Sequence, residues 1–282
     1  MDYNSLEKEV CAWAREEDDV LAVVVIGSRA RENHPADEWS DLDLILFVTN
    51  QQAYATDAAW LSRFGEIWLH THKITGIGDP EWLVLFTGGL KVDFLLAPVT
   101  GSLAEMLFGP KYLFVTRRGV RVLLDKRGDS ELNAAPDLGS LEWRQPDEPA
   151  FTAVLNQFWL SSYRAANMVQ RGDLWRARMI IDSELRRLLL RLLEWQAKAV
   201  NGSGYDTWHD GRFLQEWADP QALALLPDIF TPFDKVGTSL ALLQMMGLAD
   251  KLGKETAEQW RYHYPAANTS RVRSWIVTAL MS

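Results

Sequence analysis

The sequence predicts an α+β protein: a mixed β-sheet with helices in the first half of the chain, followed by an all-helical second half. Three observations carry this reading. Leu21-Ala22-Val23-Val24-Val25-Ile26 is an unbroken apolar, largely β-branched run closed by Gly27, the pattern of a strand buried on both faces. Gly88-Gly89 separates two more strand-like runs, 82–86 and 90–96, and reads as a hairpin turn. Beyond residue 150 apolar positions recur at helical spacing, most clearly at Leu185, Leu188, Leu189, Leu192 and Leu193.

Taken in order, Leu6 to Asp19 places Leu6, Val10, Trp13 and Ala14 on one face of a helix. The strand at 21–26 comes next. Residues 29–39 are polar and contain His34-Pro35, so they form a connection that opens on a helical turn. A second strand covers Asp41 to Val48, a helix 51–63, a strand 67–73, and then the hairpin, for four or five short strands in all. Near Lys126 the character changes, with Gly128, Pro136, Gly139, Pro146 and Pro149 among scattered charges. This divides the chain into a first domain at 1–135, a linker at 136–149 and a helical domain at 150–282. Helices are expected at 151–171, 173–200, 211–218, 234–250, 254–262 and 269–281, the second of them closed by Asn201-Gly202-Ser203-Gly204.

Composition bounds the function. A chain of 282 residues with 48% hydrophobic and 24% charged residues is an ordinary globular sequence of two-domain size. Cys11 is the only cysteine, which excludes an internal disulfide and a zinc–cysteine cluster. No run approaches the roughly 20 apolar residues of a membrane span, and the N-terminus lacks a signal-peptide pattern, so a cytoplasmic location is expected with no membrane partner. Residues 1–140 hold 13 Lys and Arg against 22 Asp and Glu, so the whole net charge of −9 sits in the first half. Such a surface suits no nucleic acid, whose phosphates need basic stripes, and draws in a cationic small molecule. Oligomeric state is not legible.

The chemistry lies around the first two strands. Gly27, closing a buried strand, permits a tight turn and close backbone approach to a phosphate, and Ser28 offers a hydroxyl and an N–H to it. Asp41 and Asp43, two apart on a strand, point to one face and can share a metal. Mg²⁺ accepts two or three carboxylates and completes its shell with phosphate and water. Placed beside the apolar Leu44-Ile45-Leu46-Phe47, the two charges are costly without a cation. The combination points to transfer of a nucleotidyl group. Arg29 and Lys91 can each neutralise triphosphate charge, or be spent on neighbours, Arg29 on Glu32 or Asp37. His70 and His72 share a strand face but read as solvated. Trp39, beside the aspartates, is placed to meet a base or a cation; Trp208, His209 and Trp217 belong to a substrate-facing surface or to the core.

The stretch from Gly27-Ser28-Arg29-Ala30-Arg31-Glu32-Asn33 through Pro35, Asp37, Ser40-Asp41-Leu42-Asp43 and Phe47-Val48 resembles the signature of the DNA-polymerase-beta-like nucleotidyltransferase superfamily. More narrowly it resembles the aminoglycoside 6-adenylyltransferases, which modify streptomycin. Looser likeness continues through Phe158-Trp159 and Tyr163, Met179-Ile180-Ile181-Asp182, Leu192-Leu193-Glu194-Trp195 and Gly211-Arg212-Phe213-Leu214. The resemblance implies transfer of AMP from ATP to a hydroxyl of an aminoglycoside such as streptomycin, with two Mg²⁺ ions and antibiotic resistance as the outcome. It makes Asp41 and Asp43 metal ligands and catalytic residues, Gly27 and Ser28 phosphate contacts, and Asp93 the third metal carboxylate, the alternative for Asp93 being a pair with Lys91. Asp182 is the implied general base, with Glu184 and Asp93 open as others; its alternative is an ion pair with Arg178 or Arg186 on the same helix. A different small-molecule or protein acceptor, or a noncatalytic nucleotide-binding regulatory module, also stays open.

Overall fold

The computed structural model describes residues 2–128 and 143–281. The chain divides into two compact units, Met1–Leu138 and Gly139–Ser282. The expected linker at 136–149 lies outside the described residues as far as 142. From 143 to 147 the chain has no regular structure. Asp147 then accepts a hydrogen bond from the Ala150 N–H, and Pro149 suits a first helical turn, so a helix opens at Glu148.

In the first unit, helix α1 (Tyr3–Glu16) leads into strand β1 (Val20–Ile26). A single 3₁₀ turn, Gly27–Arg29, opens the connection to β2 (Leu42–Val48). The helix expected over 51–63 is broken. Helix α2 spans only Gln51–Thr56, and a 3₁₀ segment follows at Ala59–Phe64. The cause is local: Asp57 turns extended, and its carboxylate takes the Ala59 N–H to start a new turn. Strands β4 (Pro80–Phe86) and β5 (Leu90–Pro98) form the expected hairpin around Gly88-Gly89, and β3 (Ile67–Ile74) pairs antiparallel with β4 to extend it into a meander. Helix α3 (Leu103–Phe108) is opened by a capping box between Ser102 and Glu105, helix α4 covers Leu113–Thr116, and β6 (Arg121–Asp125) is the last described element of the unit.

Among the described residues the sheet has six strands, in the order β3-β4-β5-β2-β1-β6. Only the β2–β5 pair is parallel among those paired. Side-chain alternation along β1, β2 and β5 separates two cores. Val23, Val25, Leu44, Leu46, Val92 and Phe94 face α1, α2 and the 3₁₀ segment. Val24, Ile45, Phe47, Leu95 and Ala97 face α3 and α4. Odd-numbered positions of β2 and β5 therefore share the second face. That face runs beyond its apolar core into Asp43, Asp41, Asp93 and Lys91.

The second unit is helical: α5 (Glu148–Gln170), α6 (Leu174–Met179), a π-helical turn (Ile180–Leu185), α7 (Arg186–Asn201), α8 (Leu214–Trp217), α9 (Pro220–Leu225), α10 (Lys235–Trp260) and α11 (Ala266–Met281). The helices expected at 234–250 and 254–262 are one. Gly253, between the two expected stretches, is a packing position: a Cβ there would meet Leu155 and Tyr264 atoms at 2.9 Å. Leu185, Leu189, Leu192 and Leu193 are buried in this unit's core.

Candidate active site

Register builds the site. On the parallel β2–β5 pair Asp43 stands directly opposite Asp93, and Leu42 opposite Val92. Neighbouring strands lie about 4.8 Å apart, so two carboxylates on one face at that level are forced together. Asp41, one residue ahead of β2, falls beside Lys91 at the next step out. One oxygen each of Asp41, Asp43 and Asp93 lies within 4.8 Å of the others. Among the described residues the structure thus brings together all three carboxylates that the sequence singled out as metal ligands.

Lys91 joins them. Its Nζ donates to Asp41 Oδ2 at 2.6 Å and to Asp93 Oδ2 at 2.9 Å. Asp93 Oδ1 is also only 2.8 Å from Nζ, but at an angle that makes no hydrogen bond, so a buried carboxylate oxygen keeps its lone pairs unused. The pairing of Lys91 with Asp93, weighed from sequence as an alternative to metal binding, is therefore present, and it extends to Asp41.

The electrostatics follow. Burial, then the charges of Asp41 and Asp93, push Asp43 up to about 7, with Lys91 pulling the other way. Burial also raises Asp93, against the hydrogen bond and charge of Lys91. For Lys91 burial acts downward, but its bonds to both aspartates outweigh it and raise the ammonium above its ordinary value. One ammonium does not balance three carboxylates held this closely. Oxygen donors, an unused buried lone pair and excess negative charge suit a hard divalent cation such as Mg²⁺.

Gly27 bounds the other side. It sits at φ +71°, the left-handed region, immediately after Ile26, which pairs with Asp43 across β1–β2. A Cβ on Gly27 would lie 2.2 Å from Asp43 Oδ2. The backbone here therefore approaches the carboxylate as only glycine allows. Ser28 follows, buried, at the head of the turn.

Arg29 does not make the neighbour pairs that the sequence offers. It pairs with neither Glu32 nor Asp37; its Nε donates to the Asp41 carbonyl at 2.9 Å and Nη2 to the Ser40 carbonyl at 2.7 Å. Its guanidinium lies 3.7 Å from the Tyr3 ring centre. Arg29 thus ties the end of β1 to the approach of β2. Ser40 and Asp37 brace that approach from outside, the Ser40 hydroxyl donating to Asp37 at 2.7 Å and holding its pKa below the ordinary value. Tyr3 is the residue that sequence reasoning missed. Its hydroxyl bonds the backbone N–H and carbonyl of Lys91, at 3.2 and 3.4 Å, while its ring carries Arg29. Nothing in the helical pattern of α1 marks it, because its partners come from β1 and β5.

The remaining candidates lie apart in character. His70 and His72 are exposed on β3 and lie against Trp82. Trp39 is 86% exposed. Trp208 and Trp217 are buried, Trp208 against Phe213, whereas His209 pairs with Asp210 at the surface.

In the second unit Asp182 sits in the π turn, a geometry often found where a helix serves function. Oδ2 accepts from Arg178 Nε at 3.0 Å, and Oδ1 lies 2.7 Å from Arg186 Nη2 as an ion pair without hydrogen-bond geometry. Both i±4 pairings exist. Glu184 accepts from Gln157, Ser161 and Arg164, the Ser161 bond chiefly holding its pKa down, so it bridges α5 to the π turn. A cavity of about 450 Å³ in this unit is lined by Trp159, Tyr163, Arg271 and Trp275 but no carboxylate, which does not match a polycationic ligand.

The sequence matches the streptomycin adenylyltransferase family over residues 2–279. It is 23% identical over 261 residues to an aminoglycoside 6-adenylyltransferase of Bacillus subtilis, covering 90% of this chain and 89% of that protein. It is 24% identical over 278 residues to one from Campylobacter jejuni, covering 92% and 91%. A crystal structure of an aminoglycoside 6-adenyltransferase from Bacillus subtilis aligns over 98% of this chain and 99% of that one, with 19% identity and a TM-score of 0.47. Among the described residues no helix is long and apolar enough to cross a membrane.

Two outcomes test this geometry. Gly27→Ala adds about 1–2 kcal/mol of backbone strain and also displaces the Asp43 carboxylate. It should lower the melting temperature more than Gly88→Ala, which shares a positive φ (+88°) but has open space around it; equal effects would show that the contact with Asp43 is unimportant. Asp43, raised to about 7, holds a proton in the folded state that the unfolded chain releases near pH 4. Its contribution to stability therefore falls as pH rises from about 4 to 7 and stays low above. In chelator, Asp43→Asn should be the more stable protein by about 2–4 kcal/mol at pH 8, with the gap closing towards pH 4. A variant no more stable than the parent at pH 8 contradicts the strain assigned to Asp43.

Proposed function

The chain belongs to the streptomycin adenylyltransferase family, and we propose that it transfers AMP from ATP to a hydroxyl of an aminoglycoside, with streptomycin as the first acceptor to test. The observation that carries this reading is the cluster of Asp41, Asp43 and Asp93 set against the backbone of Gly27.

In this reading Asp41, Asp43 and Asp93 hold Mg²⁺, as two ions with ATP in place. Bound there, the metal would screen the triphosphate and favour attack at the α-phosphorus. The backbone of Gly27 would meet a phosphate at the turn, and Ser28 would supply a hydroxyl and an N–H to it. Lys91 neutralises triphosphate charge directly. Arg29 contributes through position, since its guanidinium fixes the carbonyls of Ser40 and Asp41 and so the placement of the Asp41 side chain.

The acceptor hydroxyl attacks the α-phosphorus, the bond to the bridging oxygen of the β-phosphate breaks, and pyrophosphate leaves. The hydroxyl proton passes to a carboxylate. Asp182 takes it after giving up one of its two arginine partners, or Asp93 takes it after giving up Lys91. The acidity of residues 1–140 favours a cationic acceptor by long-range attraction, which supports an aminoglycoside over a polyanion. The reaction consumes soluble substrates and so fits a cytoplasmic enzyme.

Purified protein given ATP, Mg²⁺ and streptomycin should release pyrophosphate and yield an acceptor heavier by one AMP unit. Asp41→Asn should lower kcat by about three orders of magnitude, equivalent to about 4 kcal/mol of transition-state stabilisation. Of Asp182→Asn and Asp93→Asn, the one that abolishes the acidic limb of the kcat/KM profile identifies the base. No pyrophosphate from a panel of aminoglycosides would sink the acceptor assignment, and full activity in Asp41→Asn would sink the role of the cluster.

A further inference from the structure

We propose that Lys91 is an internal counter-ion which a divalent metal must displace, so that the lysine suppresses metal binding until a nucleotide is present to receive its ammonium. The inference rests on the metal-site reading above and adds a coupling that the reading does not require.

The first ground is competition for the same atoms. Nζ lies 2.6 Å from Asp41 Oδ2, and 2.8 and 2.9 Å from the two oxygens of Asp93. These oxygens belong to two of the three carboxylates, Asp41 and Asp93, that a cation among Asp41, Asp43 and Asp93 would use. A divalent ion and an ammonium group cannot both sit among these carboxylates, because like charges at such separations repel strongly in a half-buried setting.

The second ground is freedom to leave. The backbone of Lys91 is pinned, its N–H and carbonyl both bonded to the Tyr3 hydroxyl. Its side chain is 42% exposed, whereas that of Asp93 is only 14% exposed. The ammonium can therefore swing on its four-carbon stem towards solvent while the carboxylates stay where strand register puts them.

The third ground is where the charge goes. An ammonium displaced from Asp41 and Asp93 loses both anionic partners, and a triphosphate bound against Gly27 and Ser28 would offer it phosphate oxygens in their place. Metal binding then frees the lysine for the nucleotide, and the nucleotide stabilises the freed lysine. By linkage each ligand tightens the other.

The experiment measures Mn²⁺ affinity of the full chain from the loss of free Mn²⁺ signal in electron paramagnetic resonance, with no nucleotide present. Lys91→Met should bind Mn²⁺ about tenfold more tightly than the parent, and Lys91→Arg, which keeps the charge, should not. Adding a non-hydrolysable ATP analogue at one fixed concentration should tighten Mn²⁺ binding more in the parent than in Lys91→Met. Asp43→Asn serves as the site control and should remove the binding. Should Lys91→Met melt early, Lys91→Gln gives the same uncharged comparison. If the uncharged variants bind Mn²⁺ no more tightly than the parent while Asp43→Asn abolishes binding, Lys91 is not a competitor and the inference is overturned. Failure of every protein, parent included, to bind Mn²⁺ with or without the analogue overturns the metal-site reading itself.

Discussion

The parallel register of β2 against β5 is the constraint on which the rest of the site depends. It sets Asp43 opposite Asp93 on a face whose inner part is apolar core, so two like charges meet where water is scarce. Neither residue can turn away, since a one-residue slip would carry Leu44, Leu46, Phe94 and Leu96 out of the opposite core. Hydrophobic packing therefore holds the carboxylates in an arrangement that electrostatics alone would oppose. The raised pKa values of Asp43 and Asp93 are the mark of that opposition.

What surrounds the carboxylates manages this conflict at several points. Gly27 brings the end of β1 against Asp43 without a side chain in between. Arg29 spends its donors on the carbonyls of Ser40 and Asp41 and its face on Tyr3, which stiffens the approach to β2. Tyr3 then reaches the backbone of Lys91 and links α1, the turn after β1 and β5 in one network. Lys91 supplies the only positive charge that bonds directly to the cluster among the described residues. On the metal-site proposal, the stability sacrificed at Asp43 is the kind of local cost that functional sites carry.

Much of this was legible in the sequence, and the limits have physical causes. The β-branched run closed by Gly27 and the apolar run Leu44-Ile45-Leu46-Phe47 after the aspartates mark two strands, because burial on both faces leaves a strong signal in residue type. The Gly88-Gly89 turn gave the hairpin. The pairing of β2 with β5 was not legible, since a parallel partner lies across an intervening crossover and leaves no local mark. Asp93 was reached only through resemblance for that reason. The break after α2 escaped because Asp57 is polar in any setting, and its capping of Ala59 depends on backbone geometry. Strand β6 is short and only half buried, and its charged ends masked it. Arg29 and Lys91 were recognised as important, yet sequence left each between phosphate and protein partners; the geometry shows one bonded to carbonyls and the other to carboxylates. The roles of Asp182 and Asp93 in proton transfer depend on a bound acceptor and so lie beyond residue pattern.

The central claim is that Asp41, Asp43 and Asp93 form a divalent-metal site brought together by strand register. Anomalous diffraction from crystals grown with Mn²⁺ and a non-hydrolysable ATP analogue tests it most directly. The account predicts a Mn²⁺ peak about 2.1 Å from oxygens of all three aspartates, with Lys91 Nζ moved off Asp41 and Asp93. Mn²⁺ held only at outlying acidic residues such as Asp37 and Glu38, with Lys91 still bridging Asp41 and Asp93, would contradict it.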